Sequence, residues 1–115
     1  MLYDTIILGA GAAGLTAALY TSRRALTTLV ITQDIGGQAA TTPDIENYPG
    51  LKHADGARLT QTMYEQAMSF GATFVFAEAK GITRTNRHFT IQTNNQAYTA
   101  RTVILAFGLS RRHLG

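Results

Sequence analysis

The sequence predicts an α/β fold in which a short parallel sheet carries a small antiparallel β-meander. Three observations point to this class. The chain begins with an apolar strand, a glycine-rich turn and an alanine-rich helix, the start of a βαβ unit. A second short run of apolar and β-branched residues follows after a few residues. Further on, short segments with alternating polar and apolar residues replace the continuous apolar runs, which is typical of antiparallel strands.

The first half of the chain supplies the parallel part. A strand is predicted over Leu2–Leu8, because its apolar, β-branched residues do not alternate and so suit burial on both faces. A helix is predicted over residues 12–24, where alanine side chains let it lie close to a sheet. A second strand is predicted over residues 27–32. Residues 33–55 show no periodicity and contain glycine, proline and polar residues, which predicts an ordered loop that binds something.

A second helix is predicted over residues 57–70, with Gly71 as its C-terminal stop. Its apolar face is expected to contain Leu59, Met63, Ala67 and Phe70. Met68 is expected in or near the core, like Met63. A short strand over Thr73–Phe76 follows the helix.

The last part of the chain predicts the meander and one more parallel strand. Alternating residues indicate strands over 81–85, His88–Thr93 and 97–100, with Asn94 and Asn95 in a tight turn. The apolar run at 102–106 is expected to re-enter the parallel sheet beside the first strand, in the order 3-2-1-4. As the last strand of that sheet, it is expected to be an unpaired hydrophobic edge.

Composition excludes several function classes. The 115 residues suffice for one domain or part of one. The net charge of +3 comes from scattered Arg and Lys, without the clustered basic stripe of a nucleic-acid binder. There is no cysteine, so these residues contain no redox-active dithiol. The three histidines lack metal-ligand spacing, and no apolar run has the length and composition of a membrane span.

Residues 9–14, Gly-Ala-Gly-Ala-Ala-Gly, form a G-x-G-x-x-G motif between the first strand and the first helix. In a Rossmann-like fold this context predicts a dinucleotide site. Gly9 permits the tight turn, Gly11 lets backbone approach a pyrophosphate, and Gly14 allows close contact between helix and strand. The phosphates are expected at the free N–H groups of the helix N-terminus.

The second strand departs from the usual pattern. Many dinucleotide folds place Asp or Glu at its end, where it binds ribose hydroxyls, but Thr32 stands there. Asp34 is the nearest carboxylate. From the residues alone, a solvated loop position and a ribose-binding position are both open for Asp34.

Three further segments carry a specific resemblance. Residues 36–38 (Gly-Gly-Gln), 45–50 (Ile-Glu-Asn-Tyr-Pro-Gly) and 106–108 (Ala-Phe-Gly), together with the glycine motif, resemble the FAD domain of low-molecular-weight thioredoxin reductases, in the pyridine nucleotide-disulfide oxidoreductase family. The similarity covers essentially the whole chain. Phe107 stands where that family usually has Thr, so a hydroxyl contact is not expected at this position.

The resemblance implies FAD as cofactor and NADPH as co-substrate of the complete enzyme, which would pass a hydride through FAD to a protein disulfide. It implies a thioredoxin-like protein as substrate, a homodimer and a cytoplasmic location. Residues 1–115 would be the N-terminal part of the FAD domain, with the meander inserted at 77–101, and inactive alone without the NADPH domain and the C-terminal FAD segment. The implied cofactor-binding residues are Gly9, Gly11, Ala12, Ala13, Gly14, Thr32, Gly36, Gly37, Gln38, Thr42, Ile45, Asn47, Ala79, Ala106, Phe107 and Gly108.

Two alternatives stay open. One is a ferredoxin or flavodoxin reductase of the same fold that has no cysteine pair. The other, from a different class, is a non-catalytic nucleotide-binding module that uses the glycine turn only for recognition.

Overall fold

A computed structural model describes residues 1–36 and 56–107. In chain order these residues form β1 (Leu2–Leu8), α1 (Ala12–Arg23), β2 (Thr28–Thr32), α2 (Gly56–Ser69), β3 (Thr73–Phe76), β4 (Ala79–Thr85), β5 (His88–Thr93) and β6 (Ala97–Leu105). The predicted bounds of β1, β3 and β5 match the observed ones. The predicted bounds of α1, β2, α2 and β4 differ by one or two residues at their ends.

The described strands form one six-stranded sheet in the order β3-β2-β1-β6-β5-β4. The first four of these are mutually parallel, since β2 pairs with β3, and β1 pairs with both β2 and β6. β4, β5 and β6 pair antiparallel as a meander. The α/β class and the 3-2-1-4 order of the parallel strands are confirmed.

The prediction of two strands at 97–100 and 102–106 is wrong, because β6 is a single strand of nine residues. Residues 97–100 of β6 pair with β5, and residues 99–105 pair with β1. Arg101 interrupts the apolar pattern without interrupting the strand, since Ala100 and Thr102 on either side of it both pair with β1. Its guanidinium lies 3.8 Å from the Asp4 carboxylate. Residues 97–100 thus have β5 as a strand partner, and the predicted open edge can begin only after Ala100. Over 101–105, β1 is the only strand partner within the described ranges.

Two clusters of buried side chains give the fold three layers. The apolar residues of β2 divide between them, with Val30 on one face and Leu29 and Ile31 on the other. The helix-side cluster contains Ile7, Ala10, Leu15, Ala18, Val30, Met63, Ala67 and Ala72. The meander-side cluster contains Ile6, Leu8, Leu29, Ile31, Ala77, Ile91 and Ala100. The parallel strands thus lie between helices and meander, which explains their lack of alternation.

The apolar face of α2 needs correction at its C-terminal end. Met63 and Ala67 are buried, but Met68 and Phe70 are 42% and 51% exposed. Phe70 follows the last residue of α2, and the Arg23 guanidinium lies 5.6 Å from its ring centre. Thr60 is buried instead, because its hydroxyl donates to the Gly56 carbonyl at 2.9 Å and so needs no solvent.

Candidate functional site

A cleft of about 250 Å³ lies at the carboxyl ends of the parallel strands. Open α/β sheets bind their ligands in this position, where helices begin and connections leave the sheet. The cleft is lined by Gly9, Ala10, Gly11, Ile31, Thr32, Gln33, Asp34, Ala77, Glu78, Ala79 and Phe107.

Two glycines of the motif are required by the protein's own packing. Gly9 has a φ of 107°, and a Cβ there would overlap the carbonyl oxygen of Ala106. A Cβ at Gly14 would overlap the carbonyl oxygen of Gly9 and lie 3.4 Å from the Ala106 side chain. Gly14 therefore lets α1 pack directly on the turn that precedes it.

Gly11 differs, because the described residues around it would tolerate a side chain. Its φ of −78° is ordinary, and among those residues a Cβ would meet only the Gly36 carbonyl oxygen, at 3.6 Å. Gly11 also caps α1 without any side-chain hydrogen bond, and the first turn carries no acidic residue. Backbone N–H groups of Ala12 and Ala13 have no acceptor within a helix at these positions. The arrangement fits a phosphate group placed over Gly11 at the positive end of the helix.

The loop that follows β2 begins beside this turn. The N–H of Gly36 donates to the Ala10 carbonyl at 2.7 Å, and Gly36 forms a parallel bridge with Gly11. Gly36 has a φ of 105°, a conformation that favours glycine. Six predicted cofactor-binding residues lie outside the described residues. Five belong to this loop and one to the end of the chain: Gly37, Gln38, Thr42, Ile45, Asn47 and Gly108.

The end of β2 supplies polar groups to the cleft. Thr32 is buried, and its hydroxyl donates to the Asp34 carbonyl at 2.6 Å, which fixes the turn after the strand. The Asp34 side chain is exposed and also lines the cleft. Its carboxylate can accept hydrogen bonds from ribose hydroxyls. Asp34 is thus both exposed to solvent and part of the cleft lining, and a ribose-binding role for it stays a prediction.

The connection after β3 forms another wall of the cleft. The N–H of Ala77 donates to the Thr32 carbonyl at 3.0 Å, which fastens this connection to β2. Glu78 and Ala79 follow, and the Glu78 carboxylate lies 3.2 Å from the Lys80 ammonium. Sequence reasoning missed Glu78 and Gln33. Gln33 stands directly after β2 and Glu78 two residues after β3, and this position near the ends of parallel strands could have singled them out.

The structure brings the described candidate residues together. Gly9, Gly11, Thr32, Ala79 and Phe107 line the cleft. The rest adjoin it: Ala12, Ala13 and Gly14 form the first turn of α1, Gly36 contacts the glycine turn, and Ala106 abuts Gly9. Their binding of a cofactor stays a prediction.

A glycine turn between a buried strand and a helix, opening on a cleft at the strands' carboxyl ends, defines an α/β protein of the dinucleotide-binding class. Comparison with known proteins then gives the family. Residues 3–115 match the family described as pyridine nucleotide-disulphide oxidoreductase, and the chain belongs to this family.

Its relatives include thioredoxin reductases. The chain is 43% identical to the thioredoxin reductase of Bacillus subtilis, and the match covers 99% of this chain and 36% of the relative. It is 45% identical to the thioredoxin reductase of Treponema pallidum, and that match covers 98% of this chain and 38% of the relative. The crystal structure of thioredoxin reductase from Streptococcus pyogenes superposes with a TM-score of 0.92 at 41% identity, covering 99% of this chain and 38% of that one. The chain thus spans little more than a third of these proteins. The resemblance to thioredoxin reductases is confirmed.

Within the described residues, neither helix has the length and apolar character needed to cross a membrane.

Proposed function

We propose that this chain is the FAD-binding part of an NADPH-dependent disulfide reductase of the thioredoxin reductase type. The observation that carries the proposal is the meeting of Gly11 and Gly36 at the cleft, because it joins the glycine turn to the loop whose sequence resembles a flavin-binding segment. In this proposal residues 1–115 form part of the FAD domain, and the meander is an insertion at residues 77–101.

Different described residues would bind different parts of the cofactor. Gly11 and the N-terminal N–H groups of α1 would hold the pyrophosphate. Asp34 and the segment that ends in Ala79 lie where strand ends usually meet the adenosine part. Bound FAD would supply two-electron chemistry between a nicotinamide and a disulfide. The protein would supply binding and orientation.

The activity of the whole protein rests on its relatives. Their names support a thioredoxin-like protein as acceptor, and the family description supports a pyridine nucleotide as hydride donor. We extend the proposal to NADPH as that donor and to a homodimer in the cytoplasm. Thiol exchange needs a cysteine pair, and these 115 residues contain none. The reacting thiols must therefore come from elsewhere in such an enzyme, and the chain alone is expected to be inactive.

Titration with FAD tests the binding proposal. The wild-type chain should bind FAD and change its absorbance and fluorescence. Gly11→Ala should weaken FAD binding at least about tenfold, equivalent to about 1.4 kcal/mol, because the methyl group occupies the space intended for phosphate. Its melting temperature should fall only slightly, because among the described residues the added Cβ makes an ordinary 3.6 Å contact, and alanine is a somewhat weaker N-cap than glycine.

Gly81→Ala is the matched control. Among the described residues, a Cβ at Gly81 meets nothing within 4 Å, and Gly81 lies outside the cleft lining. This variant should bind FAD like the wild type. The proposal is contradicted if the wild-type chain does not bind FAD, or if Gly11→Ala binds FAD with unchanged affinity. Binding of adenine nucleotides without any change in a flavin spectrum would favour the nucleotide-binding module.

A further inference from the structure

One wall of the cleft is a two-residue connection between the layers of the fold. Ala77 and Glu78 join β3, in the parallel part of the sheet, to β4, in the meander. They belong to neither strand, so no sheet ladder fixes their backbone. On the side of β2, the N–H of Ala77 donates to the Thr32 carbonyl at 3.0 Å.

On the meander side, one residue fixes the connection. The side-chain oxygen Oδ1 of Asn94 accepts a hydrogen bond from the Glu78 N–H at 2.9 Å. The N–H of Asn94 donates in return to the Glu78 carbonyl at 3.2 Å. Both polar backbone groups of Glu78 are thus satisfied by a residue 16 positions later, in the turn between β5 and β6.

We propose that Asn94 is a positioning residue of the nucleotide cleft. By holding Glu78 from the meander side, it sets the position of the wall that the adenosine part of a dinucleotide meets. The inference rests on the proposed function, since it assigns the cleft to a nucleotide. Asn94 acts through the backbone of residues 77–79, and it is absent from the residues that line the main cleft.

The geometry separates the adenosine end from the phosphate end. Phosphate is expected over Gly11 at the N-terminus of α1, whereas the Asn94-held connection follows the end of β3 and is tied to the end of β2. Loss of the Asn94 side chain should therefore weaken ligands that contain adenosine. It should leave the binding of pyrophosphate alone unchanged.

The fold itself should tolerate this loss. The hydrogen bond from Glu78 to Asn94 is exposed, so water can replace the missing acceptor in Asn94→Ala. The meander keeps its ladder and the Thr93 bonds of the same turn, in which the Thr93 N–H donates to the Gln96 carbonyl at 3.1 Å. A change in ligand affinity can then be separated from a change in stability.

The test compares Asn94→Ala, Asn94→Asp and Asn95→Ala, with ADP and inorganic pyrophosphate as probes. Asn94→Ala should weaken ADP about fivefold, equivalent to about 1 kcal/mol for one hydrogen bond. Asn94→Asp keeps a side-chain acceptor and should restore ADP affinity to within about twofold, the range of a neutral change. Asn95→Ala changes the neighbouring residue of the turn and should bind ADP like the wild type.

Hydrogen exchange supplies a readout that needs no ligand. The Glu78 amide should exchange faster in Asn94→Ala than in the wild type, and Asn94→Asp should restore its protection. Unchanged exchange together with unchanged ADP affinity in Asn94→Ala overturns the positioning proposal alone. Equal weakening of ADP and pyrophosphate also overturns it. A wild-type chain that binds neither FAD nor ADP overturns the proposed function as well.

Discussion

The parallel and antiparallel parts of the sheet are stabilised by different means. All five residues of β2 are buried between the two other layers, whereas six of the seven residues of β4 are exposed. The parallel part depends on burial and on close backbone approach at glycine. The meander depends mainly on its ladder and turns, and Ile91 and Ala100 anchor it to the core. The cleft takes one wall from each part, so ligand contact and fold stability need not respond to the same substitutions.

Gly14→Ala should have the largest effect, a strong destabilisation of the parallel part of the sheet. The added Cβ would overlap the Gly9 carbonyl, and backbone cannot move aside as a flexible side chain can. We expect a loss of at least about 3 kcal/mol in the free energy of unfolding, the upper end of the usual overpacking range. Urea unfolding measures it. Gly11→Ala, in the same turn, is the control, and equal losses for both variants would contradict the distinction between these glycines.

Ile91→Ala should show how firmly the meander is anchored. Ile91 is fully buried among side chains of the parallel strands, so its truncation should cost about 2–5 kcal/mol. Ile82 is the matched control from the same hairpin, because it pairs with Ile91 but is 45% exposed. Ile82→Ala should cost well under about 1 kcal/mol. Similar losses in urea unfolding would show that the meander is not anchored through Ile91.

Gly71→Ala tests the cost of an unfavourable backbone conformation at a position where side-chain packing does not change. In the part of the chain that the structure describes, nothing lies within 4 Å of a Cβ built at Gly71, but its φ of 103° is one that other residues rarely adopt. The cost should be about 1–2 kcal/mol, from backbone strain at the end of α2. Thermal unfolding measures the effect. A melting temperature equal to the wild type would show that the helix end can adopt another conformation.

Asp4→Asn should have the smallest effect, and one that depends on pH. Hydrogen bonds from the backbone N–H and hydroxyl of Thr27 lower the pKa of Asp4, with a smaller contribution from the Arg101 charge. A lowered pKa in the folded state stabilises the protein above the unfolded value of about 3.9, and the stabilisation is lost as pH falls through the folded pKa.

Urea unfolding at neutral pH should therefore find the wild type more stable than Asp4→Asn. The difference should shrink as the solution is acidified below about pH 4, the ordinary range of an aspartate. A difference that stays constant down to pH 2 would show that Asp4 contributes through its shape and not through its charge.

Much of this fold was predictable, because continuous apolar runs and glycine positions are local signals. The bounds of β1 and β3 and the stop at Gly71 follow directly from them. The continuity of β6 was not predictable in this way. Arg101 resembles an interruption until Asp4 is known to lie beside it, and that pairing depends on the tertiary fold. Phe70 likewise continues the helical pattern but lies beyond the last turn of α2.

For the site, the glycine motif was sufficient to locate the cleft. The wall formed by Ala77 and Glu78 was not, because its position depends on hydrogen bonds to Thr32 and Asn94. A turn asparagine in the meander carries no sequence signal for a nucleotide site. The Gly36 bridge shows where the loop begins, and the contacts predicted for Gln38 and Asn47 stay predictions.

The pairing of β6 with β1 has a consequence for synthesis on the ribosome. The Thr99 hydroxyl donates to the Met1 carbonyl, and the Thr102 hydroxyl to the Asp4 carbonyl, each across 98 residues. Of the described strands, β1 leaves the exit tunnel first, and it must therefore wait for β6 before its second edge is paired. Closing so long a loop is slow, and until then the apolar edge of the nascent strand is open to wrong partners and to chaperones.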